Sequence, residues 1–156
     1  MKPAGIILAA GESSRMGADK ALLRYGETTF LGRLIDLFSP RVSPLVVVLG
    51  HHAEQIRSAM ISRAGIEFTI NHNYAAGQIS SLQAGIRALP PDAPAALVTL
   101  VDHPAARPET LDAILGASAG SLVIPRYQGR RGHPVLFSRP LLDELQIGRA
   151  SCRERV

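Results

Sequence analysis

Pro3-Ala4-Gly5-Ile6-Ile7-Leu8-Ala9-Ala10-Gly11-Glu12-Ser13-Ser14-Arg15-Met16-Gly17-Ala18-Asp19-Lys20 stands at the head of the chain. Pro3 to Ala9 is a short apolar run with a Gly/Ser loop directly behind it, the pattern of a strand buried on both faces of a parallel sheet. Two more runs follow it, PLVVVLG over Pro44 to Gly50 and AALVTLV over Ala95 to Val101, each ending in a polar or glycine-bearing turn. Helical patterns lie between them. Thr29 to Ser39 carries Phe30, Leu34, Leu37 and Phe38 on one face, His52 to Arg63 carries Ile56, Met60 and Ile61, and Ile79 to Leu89 carries Leu82, Ile86 and Leu89. After Val101 a helix is predicted with Pro108 in its first turn and Leu111, Ile114 and Leu115 on its face, then a strand from Leu122 to Tyr127. Strands alternating with helices predict an α/β domain with a mostly parallel sheet. Right-handed crossovers put the ligand cleft beyond the carboxyl ends of the strands, so loops 10–19, 50–53 and 102–107 should share one edge.

The chain has 156 residues, 46% of them hydrophobic, 19% charged and 4% aromatic, which suits one globular domain. No stretch approaches the ~18 uninterrupted apolar residues of a membrane span, and the amino-terminal apolar run is too short for a signal peptide. A cytoplasmic protein with no membrane partner is expected. Cys152 is the single cysteine, so no disulfide framework or zinc ribbon can form. Of the net charge of +4, half comes from residues 149–156, which hold three Arg and one Glu. Without a basic stripe interleaved with aromatics, a nucleic-acid partner is not expected.

Small residues at Ala9, Ala10 and Gly11 let the backbone approach a ligand, and the free N–H groups of such a turn suit a phosphate or a base edge. Arg15 and Lys20 add two cations. The loop is neither a Walker A sequence nor G-x-G-x-x-G, and by spacing alone an ordinary strand-to-helix turn remains open. Asp102, behind a purely apolar strand, is delivered to the cleft edge, where it can cap a turn or give a hard cation an oxygen ligand. Ser80 and Ser81 open a helix and can cap its N–H groups. Arg131-Gly132-His133-Pro134 can be a plain turn between strands. His51, His52 and His72 have no partner at metal-ligand spacing and are expected to be solvent-facing or capping residues.

LAAGESSRMGADK (Leu8 to Lys20) resembles the signature of the MobA-like nucleotidyltransferases, which include the molybdenum cofactor cytidylyltransferases. The resemblance extends, in order and spacing, to GQISSLQAGI (Gly77 to Ile86), LVDHP (Leu100 to Pro104) and RRGHPVLFSRPLLDEL (Arg130 to Leu145). It implies a Rossmann-like, three-layer α/β/α domain. It also implies a Mg²⁺-dependent transfer of CMP from CTP, or GMP from GTP, to a molybdopterin-type phosphorylated acceptor with release of pyrophosphate. By this resemblance Leu8, Ala9, Ala10, Gly11, Arg15, Lys20, Gly77, Ser81 and Gly85 bind the nucleotide and Asp102 holds the metal. Arg15, Lys20 and Asp102 form the catalytic set, and His103, Gly132, His133 and Pro134 face the acceptor. His103 stands where the family ordinarily has Gln. The LAAG and Gly-His-Pro elements resemble the cytidylyl branch. A molybdoenzyme or its chaperone is a further implied partner. Two alternatives are a transferase for another phosphorylated acceptor and a non-catalytic nucleotide-binding accessory protein for molybdoenzyme maturation.

The family pattern includes a later Asp-x-Asp-Thr-Pro segment that supplies a second metal-side carboxylate. Here the apolar periodicity stops after Leu145. Residues 1–145 are therefore expected to be a nucleotidyltransferase domain incomplete at its carboxyl end, and residues 146–156 a non-native tail, a natural short basic tail being the alternative.

Overall fold

Ile6, Ile7 and Leu8 are buried on alternate sides of one strand, and that two-sided burial organises the molecule. The computed structural model describes residues 2–11, 20–60, 65–117 and 122–147. Strand β1 (Ala4–Ala9) leads, beyond a 3₁₀ turn at Lys20–Leu22, to a small ribbon of β2 (Arg24–Tyr25) and β3 (Thr28–Thr29) and then helix α1 (Phe30–Phe38). The Thr29 hydroxyl caps α1 by accepting from the Gly32 N–H at 3.0 Å. β4 (Leu45–Leu49), α2 (Ala53–Ala59), β5 (Ile66–Ile70), α3 (Gln78–Arg87), β6 (Ala95–Leu100) and α4 (Pro108–Gly116) continue the alternation. The chain then forms β7 (Leu122–Val123), a hairpin of β8 (Arg126–Tyr127) and β9 (Arg130–Arg131), β10 (Val135–Ser138) and α5 (Arg139–Gln146).

The main sheet has the order β5-β4-β1-β6-β10-β7. β5, β4, β1 and β6 run parallel, and β10 is antiparallel to both of its neighbours. Ile6, Leu8, Val46, Val48, Ala96 and Val98 face one core with Leu82, Ile86, Leu142 and Leu145 from α3 and α5. Ile7, Ala9, Val47, Leu49 and Leu97 face the other, with Leu31, Leu34 and Phe38 of α1, Ile56 of α2 and Leu111 and Ile114 of α4. The result is the expected three-layer, Rossmann-like α/β/α arrangement, with a mostly parallel sheet. Each fully buried Leu or Ile contributes roughly 1.5–3 kcal/mol.

The predicted strand Leu122 to Tyr127 divides in two. Pro125 has no N–H for a ladder, and its carbonyl instead accepts from the Gly132 N–H at 2.9 Å, which turns β8 out of the sheet. Helix α5 runs through Gln146, one residue into the stretch read as tail, and residues 148–156, with Cys152, lie outside the described residues. Among the described residues no helix is long and apolar enough to cross a membrane.

Candidate functional site

At the carboxyl edge of the sheet the ends of three strands are tied together. The Val101 N–H donates to Leu8 O at 3.0 Å, and the His51 N–H donates to Ala10 O at 3.2 Å. Gly50 makes the second approach possible, since a Cβ there would stand 2.8 Å from both Ala10 O and Tyr74 Cβ. The described parts of the three predicted loops thus converge on one edge, and a cavity of about 260 Å³ opens there.

Leu8, Ala9, Ala10, Gly11, Lys20, Gly77, Ser81 and Asp102 all line this cavity. Its floor is the end of β1, where Ala9, Ala10 and Gly11 follow Leu8 and, among the described residues, nothing stands within 4 Å of where a Gly11 side chain would begin. Gly77 forms the corner leading into α3 with φ +109°, a conformation closed to residues with a Cβ. Lys20 Nζ and Asp102 Oδ2 lie 3.7 Å apart, with side chains 39% and 41% exposed. A pair so exposed contributes little to stability, so the two charges remain accessible to a ligand. His103 Nε2 lies 3.5 Å from the other Asp102 oxygen.

Arg15 lies outside the described residues. Gly85 does not line the cavity: its bare Cα faces the sheet, where a Cβ would come within 2.9 Å of Ile6 Cγ2 and 3.1 Å of Val48 Cγ2. Its smallness allows α3 to lie close on β1 and β4.

A second cavity, of about 230 Å³, shares Leu8, Gln78 and Leu100 with the first and extends along the α3 side of the sheet. Its walls are mainly apolar (Leu82, Val98, Leu122, Ile124, Phe137), and Arg131, Gly132 and His133 close one end. His103 reaches it only through its ring, stacked on His133 with centroids 4.7 Å apart and planes 23° from parallel. Pro134 is buried and does not line the cavity. Burial holds the His133 imidazole below its ordinary range, His103 pushes it the same way, and Asp102 opposes them. His133 is therefore neutral at pH 7.

Tyr74, Gln78 and Val101 also line the first cavity; Gln78 and Val101 lie within the Gly77 to Ile86 and Leu100 to Pro104 motifs without having been singled out, and Tyr74 lies in none. His51 accompanies Tyr74, with Nδ1 3.3 Å from the Tyr74 hydroxyl, and its ring lies against that of His52 with planes tilted by 38°. Asn71, at the end of β5, is buried beneath the start of α3 and bonds Ser80 and Ser81. Asn71-His72-Asn73 reads only as an Asx-turn sequence, which does not tell which partners the Asn71 amide meets.

Asp102 suits a hard cation. It offers two oxygens on an exposed turn, and among the described residues no group of three His, Cys, Asp or Glu is gathered to enclose a metal. Mg²⁺ binds in this manner, through one or two carboxylates with water and substrate phosphates completing its shell.

The model of the MobA-like NTP transferase domain matches residues 5–155. A molybdenum cofactor cytidylyltransferase of Escherichia coli is 28% identical, over 88% of this chain and 70% of its own. A probable molybdenum cofactor guanylyltransferase of Mycobacterium avium is 33% identical, over 92% of this chain and 73% of its own. Among solved structures, Rv0371c of Mycobacterium tuberculosis superposes with a TM-score of 0.85 at 31% identity, covering 99% of this chain and 79% of the other. Its complex with manganese gives 0.80 at 32%, covering 94% and 76%.

Proposed function

Because the chain belongs to the MobA-like NTP transferase family and is a nucleotidyltransferase, we propose that it transfers CMP from CTP to a molybdopterin-type phosphorylated acceptor in molybdenum cofactor biosynthesis. In this reaction an oxygen of the acceptor phosphate bonds to the α-phosphorus, the α-phosphorus to bridging-oxygen bond breaks, and pyrophosphate leaves. The observation that carries the reading is the pair Lys20 and Asp102, held 3.7 Å apart at the rim of a cavity floored by bare backbone.

Both partners in nucleotidyl transfer are anions, so catalysis consists mainly of alignment and of positive charge in place beforehand. The backbone from Leu8 to Gly11 receives the nucleotide, Lys20 (with Arg15) draws in the triphosphate, and Ser81 and Gly77 border the base. A Mg²⁺ ion held by Asp102 would offset phosphate charge, and that the mycobacterial relative was solved as a complex with manganese supports use of a divalent ion. The second cavity shares Leu8, Gln78 and Leu100 with the first, and its apolar walls, with His133 and Arg131 in the lining, support it as the site of the acceptor's ring. CTP is preferred to GTP in this reading because Leu8-Ala9-Ala10-Gly11 follows the cytidylyl pattern and the E. coli relative is a cytidylyltransferase.

A pyrophosphate-release assay with CTP or GTP, with and without molybdopterin, tests it. Release should require both a nucleotide and molybdopterin and be faster with CTP. Release independent of molybdopterin would refute the proposed acceptor.

A further inference from the structure

The polar cluster around Asn71 leaves one hydroxyl proton for the nucleotide cavity. The Asn73 N–H donates to Asn71 Oδ1 at 3.0 Å, and because a backbone N–H can only donate, that bond fixes which amide atom is oxygen. Asn71 Nδ2 consequently donates to Ser80 Oγ at 2.9 Å and to Ser81 Oγ at 3.0 Å. Ser80 directs its own proton to the carbonyls of Gly77 at 2.6 Å and Asn73 at 3.1 Å. Ser81 is different. It lines the cavity and is 5% exposed, and among the described residues its O–H has no acceptor. One of its two lone pairs is committed to Asn71, and turning the other toward a ligand would leave the buried proton without an acceptor among the described residues, so the hydroxyl faces a ligand as a donor.

We propose that Asn71 is a positioning residue that makes Ser81 a hydrogen-bond donor toward the base and thereby selects a pyrimidine nucleotide. This rests on the reading of the cavity as a nucleotide site. Cytosine presents two adjacent acceptors, N3 and O2, beside its N4 amine on the pairing edge, whereas guanine presents two adjacent donors, N1–H and the N2 amine, beside O6. A donor opposite the N3–O2 pair meets acceptors in cytosine and, at the matching positions of guanine, protons, with O6 at the far end of that edge. Asn71 is well placed to hold this polarity: it is itself buried, its own N–H is tied to Leu49 O at 2.7 Å, and both ends of its amide are engaged. Rotation of the amide would break the bond to Asn73.

The test is the Kd of CTP and of GTP, each with Mg²⁺, measured by calorimetry on the wild type, Asn71→Asp and Ser81→Ala. Aspartate keeps the acceptor for the Asn73 N–H but replaces the donor facing Ser81 with a second acceptor. Ser81, having no other acceptor among the described residues, would then turn its proton to that carboxylate and its lone pairs to the base. The wild type should favour CTP by about tenfold or more, and Asn71→Asp should shrink the CTP-to-GTP ratio by about tenfold. Ser81→Ala should weaken CTP and leave GTP unchanged. Loosened packing alone would weaken both nucleotides together, so the ratio separates this role from a structural one. Should Asn71→Asp fail to fold, Ser81→Ala, which only removes a hydroxyl, decides alone. Ratios unchanged from the wild type, or a wild-type preference for GTP, overturn the proposal. A wild type that binds neither nucleotide contradicts the nucleotide reading itself, and the proposal falls with it.

Discussion

The Lys20 ammonium lies 3.7 Å from a carboxylate oxygen of Asp102, joining the end of the first loop to the turn after β6. Both side chains are about two-fifths exposed, so this pair contributes little to holding the fold. Their proximity keeps a cation and a carboxylate in register at the rim of the cavity before any ligand arrives.

Asp102→Ala should lower turnover at saturating nucleotide by about 100-fold or more, since it removes the one carboxylate that lines this cavity among the described residues. Its thermal midpoint should stay close to the wild type, because the side chain is exposed on a turn. Steady-state kinetics at limiting Mg²⁺ together with calorimetric unfolding check this. Unchanged kinetics would remove Asp102 from the metal site.

Lys20→Ala should raise the KM for nucleoside triphosphate by about tenfold, the loss of one phosphate-facing cation. Nucleoside without phosphates should bind both forms equally. Equal triphosphate kinetics in the two forms would make Lys20 a surface charge only.

Replacing Gly85 by Val should destabilise the fold by about 1–3 kcal/mol, because the new Cβ would press on Ile6 and Val48 and the further methyls have no space. Urea unfolding reads this directly. A neutral outcome would show that α3 can shift away from the sheet.

His133 is held neutral by burial, so acid should weaken the fold here. Its folded pKa lies below the unfolded value of 6.5, and the unfolded chain therefore binds more protons in the interval between them. The associated stability is present above pH 6.5 and is lost as pH falls through the folded pKa. His133→Gln should flatten the fall of thermal midpoint between neutral pH and pH 5. An identical slope in both proteins would count against it.

The two-sided apolar runs of β1, β4 and β6 were legible because each is a continuous stretch ending in a turn, and they locate the cavity edge. β5 was not: Ile66–Ile70 alternates and is only half-buried at the sheet edge, where a continuous apolar run is not required. The insertion of β10 between β6 and β7 depends on a hairpin excursion after Pro125, a long-range pairing with no local signature. Leu8 to Gly11, Lys20 and Asp102 line the cavity as their positions behind strands suggest, but residue type alone left a plain turn or cap open, and the roles given to them came from the resemblance. Gly85 misleads in this respect, since a glycine kept for a helix–sheet contact reads the same as one kept for a ligand. Asn71 escapes sequence reading because its role lies in which partners its amide meets.

The most direct measurement follows the α-phosphate. The protein is incubated with Mg²⁺, molybdopterin and CTP labelled at the α-phosphorus, and the label is traced alongside the pyrophosphate released. Nucleotidyl transfer at the Lys20–Asp102 cavity predicts label covalently joined to molybdopterin in equimolar amount with pyrophosphate, and loss of both together in Asp102→Ala. Tight binding of CTP with all label remaining in CTP, or pyrophosphate released with the label appearing only as free CMP, would contradict it.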